Sequence, residues 1–176
     1  MRRSRLPTPK LVVSLVFEEL DLNLLHHVRN LVAGFIKAPP RRISAELVSR
    51  VTLSLHELLE NAVKHSRGKR AVFELRMDAL DKRRLLLRTS NPATAANAKQ
   101  VKALLRRLSR TTPQALYQEL LLETSTREVG SGLGLVRIAA ECGMVLSSSF
   151  DGKSLVMEAW NQPDPHEATH VSDSRG

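Results

Sequence analysis

The chain has one cysteine, Cys142, which excludes an internal disulfide and suits a reducing, cytoplasmic setting. Aromatic residues make up only 3%, so there is little material for a base-stacking platform of the kind that grips single-stranded nucleic acid. No apolar run in the sequence approaches the roughly 20 residues that a membrane-spanning helix needs. No Cys/His spacing resembles a zinc site, because His26, His27, His56 and His65 fall in helical stretches far along the chain from Cys142. Two further gaps bear on function. No glycine occurs between Gly68 and Gly130, and no aspartate between Asp81 and Asp151.

What is plentiful is positive charge. The 27 lysines and arginines give a formal net charge of +9, spread along the whole chain. Such a balance fits polyphosphate, an acidic protein surface or nucleic acid. No helix-turn-helix, zinc-finger or RNA-binding signature accompanies it, so nucleic acid is the disfavoured option. The start briefly mimics a secretion signal, but its apolar run ends at Glu18-Glu19 without a small-residue cleavage site and reads instead as a first strand. A hydrophobic content of 42% in 176 residues supports one domain with a substantial core.

Residues 1–10 are basic, contain two prolines and read as a flexible arm; residues 11–160 read as a single domain, and 161–176 as a disordered tail. Residues 11–17 predict a strand. From 21 to 37, Leu24, Leu25, Val28, Leu31, Val32, Phe35 and Ile36 recur at threes and fours, predicting an amphipathic helix stopped by Pro39-Pro40. Ser44 reads as the N-cap of a second helix, with Ile43 stapling onto Val48, and with Leu47, Val51, Leu55, Leu58, Leu59 and Ala62 on its buried side. Residues 71–77 and 84–88 predict two strands.

Residues 91–129 then read as a helical insertion. Its first helix would bury Val101, Leu104, Leu105 and Leu108; its second, capped by Thr112 with Pro113 at the first position, would bury Leu116, Leu120 and Leu121. A polar loop over 123–129 leads to Gly130 and to a helix whose buried side is Leu135, Ile138, Ala139 and Cys142, with Gly143 as a left-handed cap. Residues 144–150 and 154–160 predict a closing hairpin about Asp151-Gly152.

Two stretches carry chemistry. In the second helix Glu57, Asn61 and Lys64 fall within roughly 60° of one another at 3.6 residues per turn. A carboxylate, an amide and an ammonium in one row are either a solvated face or a place where phosphate and a cation are handled. The second stretch is Gly130-Ser131-Gly132-Leu133-Gly134-Leu135, whose glycines let backbone N–H groups converge on an anion at a helix start. By itself it is equally a tight turn before a core helix. It is not a Walker loop, and its sixth position, Leu135, departs from the dinucleotide fingerprint.

As a pair, the stretches resemble a known family. HELLENAVKHS is similar to the N-box, and GSGLGLVRIAAECG to the second glycine box, of the gyrase, chaperone, histidine-kinase and MutL (GHKL) ATPase superfamily. The Glu-x-x-x-Asn form of the box resembles the anti-sigma-factor serine kinases, and the insertion with PQALYQELL resembles the SiaB-like bacterial regulatory kinases. The resemblance implies an α/β two-layer sandwich of the Bergerat ATP-binding type, with a mixed, largely antiparallel sheet and a helical insertion in the lid region. It implies ATP and Mg²⁺, with Glu57 as general base, Asn61 as the Mg²⁺ ligand, and Gly130, Ser131, Gly132, Leu133, Gly134 and Leu135 as the phosphate-contacting lid. Lys64 either reaches a phosphate or stays a solvated lysine, and His65 reads as a helix-end residue.

The first glycine box departs from the pattern. Where the family carries Asp-x-Gly-x-Gly, this chain reads Arg88-Thr89-Ser90-Asn91-Pro92-Ala93-Thr94, leaving Asn91 and Thr89 as neutral candidates for adenine recognition. The implied activity is that of a Ser/Thr protein kinase of the anti-sigma type acting on a STAS-like anti-sigma-antagonist or another regulatory partner, with a homodimer as a further option. The alternative is a catalytically weak or inactive switch module of the same fold that regulates its partner without phosphotransfer.

Overall fold

The computed structural model describes residues 9–38, 43–68, 70–78, 84–125 and 132–162. Among the described residues five strands and five helices follow one another as β1 (Pro9–Phe17), α1 (Leu22–Lys37), α2 (Ala45–His65), β2 (Ala71–Asp78), β3 (Leu85–Pro92), α3 (Ala95–Leu108), α4 (Pro113–Ser125), α5 (Leu133–Cys142), β4 (Met144–Phe150) and β5 (Ser154–Asn161). The expectations for Pro39-Pro40, the turn after β2, and the chain before residue 9 and after 162 fall outside the described residues.

Local chemistry sets the helix ends. The Asp21 carboxylate accepts from Leu24 N at 2.9 Å, the Ser44 hydroxyl from Leu47 N at 3.2 Å and the Thr94 hydroxyl from Asn97 N at 3.0 Å, each satisfying a donor that a helix start leaves open. At the end of α5, Gly143 takes φ +61, the left-handed cap that its sequence position predicts.

The strands form one sheet in the order β1-β2-β3-β5-β4, and every pairing among the described residues is antiparallel, where a mixed, largely antiparallel sheet is expected from the sequence. Period-two alternation assigns its faces. Val13, Leu75, Leu87, Ala159 and Leu146 lie in register across all five strands and are buried beneath the helices. The next row along, Ser14, Glu74, Arg88, Glu158 and Ser147, belongs to the opposite face, where Arg88 approaches Glu74 at 3.7 Å and Ser147 donates to Glu158 at 3.2 Å. The molecule is an α/β sandwich of two layers, with its main core between sheet and helices.

Two differences from the sequence reading matter. β3 runs four residues past Arg88, through Asn91 and Pro92. Proline is tolerated there because β2 has no partner beyond Ser90, and the strand ends on β5 alone, with Pro92 opposite Ser154. The free Pro92 carbonyl accepts from Arg67 N at 2.9 Å and from the Ser66 hydroxyl at 3.2 Å, tying the end of α2 to the end of β3. The second difference concerns helix faces. α1 buries Leu25, Val28, Val32 and Ile36, leaving Leu31 and Phe35 exposed, and α4 buries Leu116 and Leu120 but leaves Leu121 exposed. Each helix packs along a single seam, narrower than its apolar stripe.

Leu116 and Leu120 meet Val136 of α5 in a separate small cluster, with Leu104, Leu108, Tyr117 and Leu133 packed around it. This cluster holds the inserted helices onto α5. Leu116→Ala should remove about 2–5 kcal/mol of stability, seen as a lower urea midpoint; an unchanged midpoint would show that α4 contributes nothing to the folded domain.

Candidate functional site

Along α2 the row of three polar residues runs from interior to solvent. Glu57 is only 6% exposed, Asn61 is half-buried, and the Lys64 side chain is 55% exposed. A buried carboxylate on the apolar side of a helix needs partners, and Glu57 has them. Its Oε1 accepts from Arg137 Nη1 on α5 at 3.2 Å, and its Oε2 lies where a Cβ on Gly134 would have to go. The Asn61 side-chain N–H₂ donates to the Glu57 carbonyl at 2.7 Å, so its amide oxygen remains available to a ligand. Lys64 turns to Glu60, one helical turn back, at 2.9 Å.

Arg137 extends the network outward. Its Nε donates to Glu141 at 2.9 Å, and Tyr117 of α4 lines the same charged cavity. The bond to Glu141 is the main reason that the Arg137 guanidinium is held above its ordinary range, with the Glu141 and Glu57 charges adding to it against the effect of burial. Burial first, and then the neighbouring Glu141 carboxylate, raises the Tyr117 phenol. The chain Glu141–Arg137–Glu57 therefore joins α5 to the buried end of α2.

Two cavities meet at this point. One, of about 360 Å³, is largely apolar and is lined by Leu58, Ala62, Leu104, Leu135, Leu155 and Met157. Thr89 and Asn91, the two buried polar residues of β3, also line it, and Asn91 donates to the Pro92 carbonyl at 3.2 Å. The other, of about 320 Å³, is charged: Glu57, Glu60, Lys64 and Arg137 line it with Tyr117 and residues 132–134. Asn61, His65 and Gly132 border both, so the two form one bent cleft within the ordinary size range of small-molecule sites. Its lining gives it one largely apolar end and one charged end, where Glu57 and Glu60 stand beside Lys64 and Arg137.

The glycines shape the cleft for different reasons. Gly132 sits at φ +62, a left-handed conformation, and a Cβ there would meet Leu104 Cδ2 at 2.6 Å. Gly134 has ordinary helical backbone and is glycine for space, because its Cα faces the Glu57 carboxylate.

No family model and no curated protein sequence matches this chain. A solved structure does. A chain in the crystal structure of the SiaB–SiaC complex from Pseudomonas aeruginosa superposes with a TM-score of 0.65 at 15% identity, over 86% of this chain and 90% of that one. The likeness is one of fold.

The structure brings Glu57, Asn61, Lys64, Asn91, Gly132, Leu133, Gly134 and Leu135 to the walls of one cleft. Gly130 and Ser131 lie outside the described residues. His65 is a helix-end residue, as expected: its carbonyl accepts from Asn97 at 2.9 Å. Cys142 is buried, which pushes its thiol up and leaves it unsuited to act as a nucleophile. Reading the sequence alone missed Arg137, Tyr117 and Glu60. Arg137 and Glu141 stand four residues apart on a helix, a visible ion-pair spacing. The Arg137–Glu57 contact spans 80 residues and left no local trace. Among the described residues there is no cluster of His, Cys, Asp or Glu able to hold a metal, and no helix is long and apolar enough to cross a membrane.

Proposed function

We propose that this chain is an ATP-binding regulatory protein, a Ser/Thr protein kinase of the anti-sigma type that modifies a STAS-like or other regulatory partner. One observation carries the reading. A buried carboxylate, Glu57, is packed against the backbone of Gly134 with Asn61 beside it, where an apolar cavity and a charged cavity meet. That is the layout required for a purine at one end and a metal-bound triphosphate at the other. The likeness in fold to a chain of a two-protein complex supports a role exercised on a protein partner.

The residues fit the implied groups. Asn61 supplies one side-chain oxygen, suited to Mg²⁺, which keeps several waters and takes its other ligands from phosphate; the ion would neutralise charge developing on the phosphate oxygens. The backbone at Gly132 and Gly134, where α5 begins, supplies N–H groups to phosphate. Glu57 accepts the proton of the acceptor hydroxyl; that oxygen bonds to the terminal phosphorus while the bond to the bridging oxygen breaks, leaving a diphosphate. Mg-ATP at 100 times its dissociation constant should raise stability by about 2.7 kcal/mol, measured as a thermal shift. No shift with millimolar Mg-ATP would overturn the reading.

A second reading has its own observation. Among the described residues no carboxylate lines the apolar cavity, and Asn91 spends its N–H₂ on the neighbouring carbonyl, so there a purine amino group meets neutral acceptors. This favours a switch module that binds its partner without phosphotransfer. Partner binding that is indifferent to nucleotide, with no thermal shift, would support it.

A further inference from the structure

The charged cavity holds two cations, and both are engaged by carboxylates: Lys64 by Glu60 at 2.9 Å, and Arg137 by Glu57 at 3.2 Å. The two pairs differ in kind. The Lys64 pair is an exposed contact within one helix, of the sort that contributes little. The Arg137 pair crosses from α5 to α2, and its carboxylate is buried. It is also divided by function. The Arg137 Nε stays with Glu141 on its own helix, which fixes the plane of the guanidinium, while Nη1 alone reaches Glu57. A guanidinium anchored at one edge can exchange a carboxylate for a phosphate at the other, because both accept the same planar fork of donors.

We propose that Arg137 is the terminal-phosphate ligand of the charged cavity and leaves Glu57 for that phosphate, so that Glu57 is released as a base only when a triphosphate is bound. This rests on the nucleotide reading of the same cleft. Position supplies the argument. A base that takes the proton of an attacking hydroxyl stands beside the phosphorus under attack, so a cation in contact with that base stands at the terminal phosphate and not at the inner ones. While Glu57 Oε1 accepts from Arg137 Nη1, that oxygen is occupied and cannot take the hydrogen bond of an incoming hydroxyl. The exchange frees that oxygen. A diphosphate, which lacks the terminal group, leaves the pair in place. Arg137 thereby distinguishes ATP from ADP and links that distinction to the base.

The test is a titration of the full chain with the magnesium complexes of ATP and ADP, and with AMP, followed by calorimetry or thermal shift. Wild type, Arg137→Ala and Arg137→Lys are compared. Because Arg137→Ala leaves a buried carboxylate without its partner, the same comparison is made on a Glu57→Gln background, where position 57 is neutral. The expected result is a loss of about tenfold or more in ATP affinity in Arg137→Ala on both backgrounds, with ADP and AMP changed by less than about twofold and Arg137→Lys recovering part of the difference. Equal ATP and ADP affinities in wild type and variant would overturn the inference while leaving the nucleotide reading intact. A parallel loss for all three nucleotides would overturn it too, assigning Arg137 a structural role. Wild type that binds none of the three would overturn the nucleotide reading itself, and the inference with it.

Discussion

Glu57→Gln is expected to lower phosphate transfer to a co-purified partner by about 10²–10⁴-fold, with Mg-ATP affinity held or increased. The substitution conserves shape, so the side chain still fills the space against Gly134 and α5 keeps its position. What disappears is the charge that receives the proton in the proposed transfer. Arg137 loses its carboxylate across the cleft but keeps Glu141, so the site becomes more positive by one charge and no less able to hold an anion. A merely structural Glu57 predicts a different pattern, with binding and transfer falling together. The measurement is therefore paired: transfer from γ-labelled ATP to the partner, and nucleotide affinity of the same preparation by calorimetry. Transfer at the wild-type rate would remove Glu57 from the mechanism. Loss of both would make it a binding or packing residue.

Much of the fold is legible in the sequence because it is decided locally. Asp21, Ser44 and Thr94 cap helices through bonds three residues long, and Gly143 ends α5 through its own φ. The strands alternate because each has one buried face. Less legible is whatever a neighbour decides. Arg88 to Pro92 reads as the end of a strand because proline usually breaks a ladder, and only the early end of β2 makes room for it. Leu31, Phe35 and Leu121 read as core residues, yet each stands one position off the seam that a single packing partner covers.

The site divides along the same line. Glu57, Asn61 and the glycines are visible because their chemistry depends on spacing within one segment. That Glu57 is buried is not visible, since the row could equally have been a solvated face. Burial comes from α5, which crosses α2 at Gly134 and brings Arg137 with it. Tertiary contact turns an ordinary polar row into a charged group that must be held in place.

That contact makes Gly134→Ala the sharpest structural test. In an exposed helix this change would stabilise by about 1 kcal/mol, and Gly134 has no positive φ to forbid alanine. Here the new Cβ would overlap Glu57 Oε2 and stand 3.3 Å from its Cδ and 3.4 Å from Asn61 Nδ2. Glu57 is buried and tied to Arg137, so it has little freedom to move aside. Overpacking of this kind costs about 1–3 kcal/mol, and relief can come only by shifting α5 or displacing the carboxylate. Either one disrupts the phosphate end, so Gly134→Ala should abolish transfer and weaken Mg-ATP binding beyond what its stability loss explains. Gly143→Ala is the control. At φ +61 with no atom within 4 Å of the added Cβ, it carries only the left-handed backbone cost, about 1–2 kcal/mol, and should leave the ligand response intact. The deciding measurement is a double-mutant cycle with Glu57→Ala, which removes the atoms that the new methyl strikes. On that background Gly134→Ala should become neutral or stabilising, a coupling of about 1–3 kcal/mol. Simple additivity of the two changes would show that the approach of α5 to Glu57 is not what requires glycine at this position.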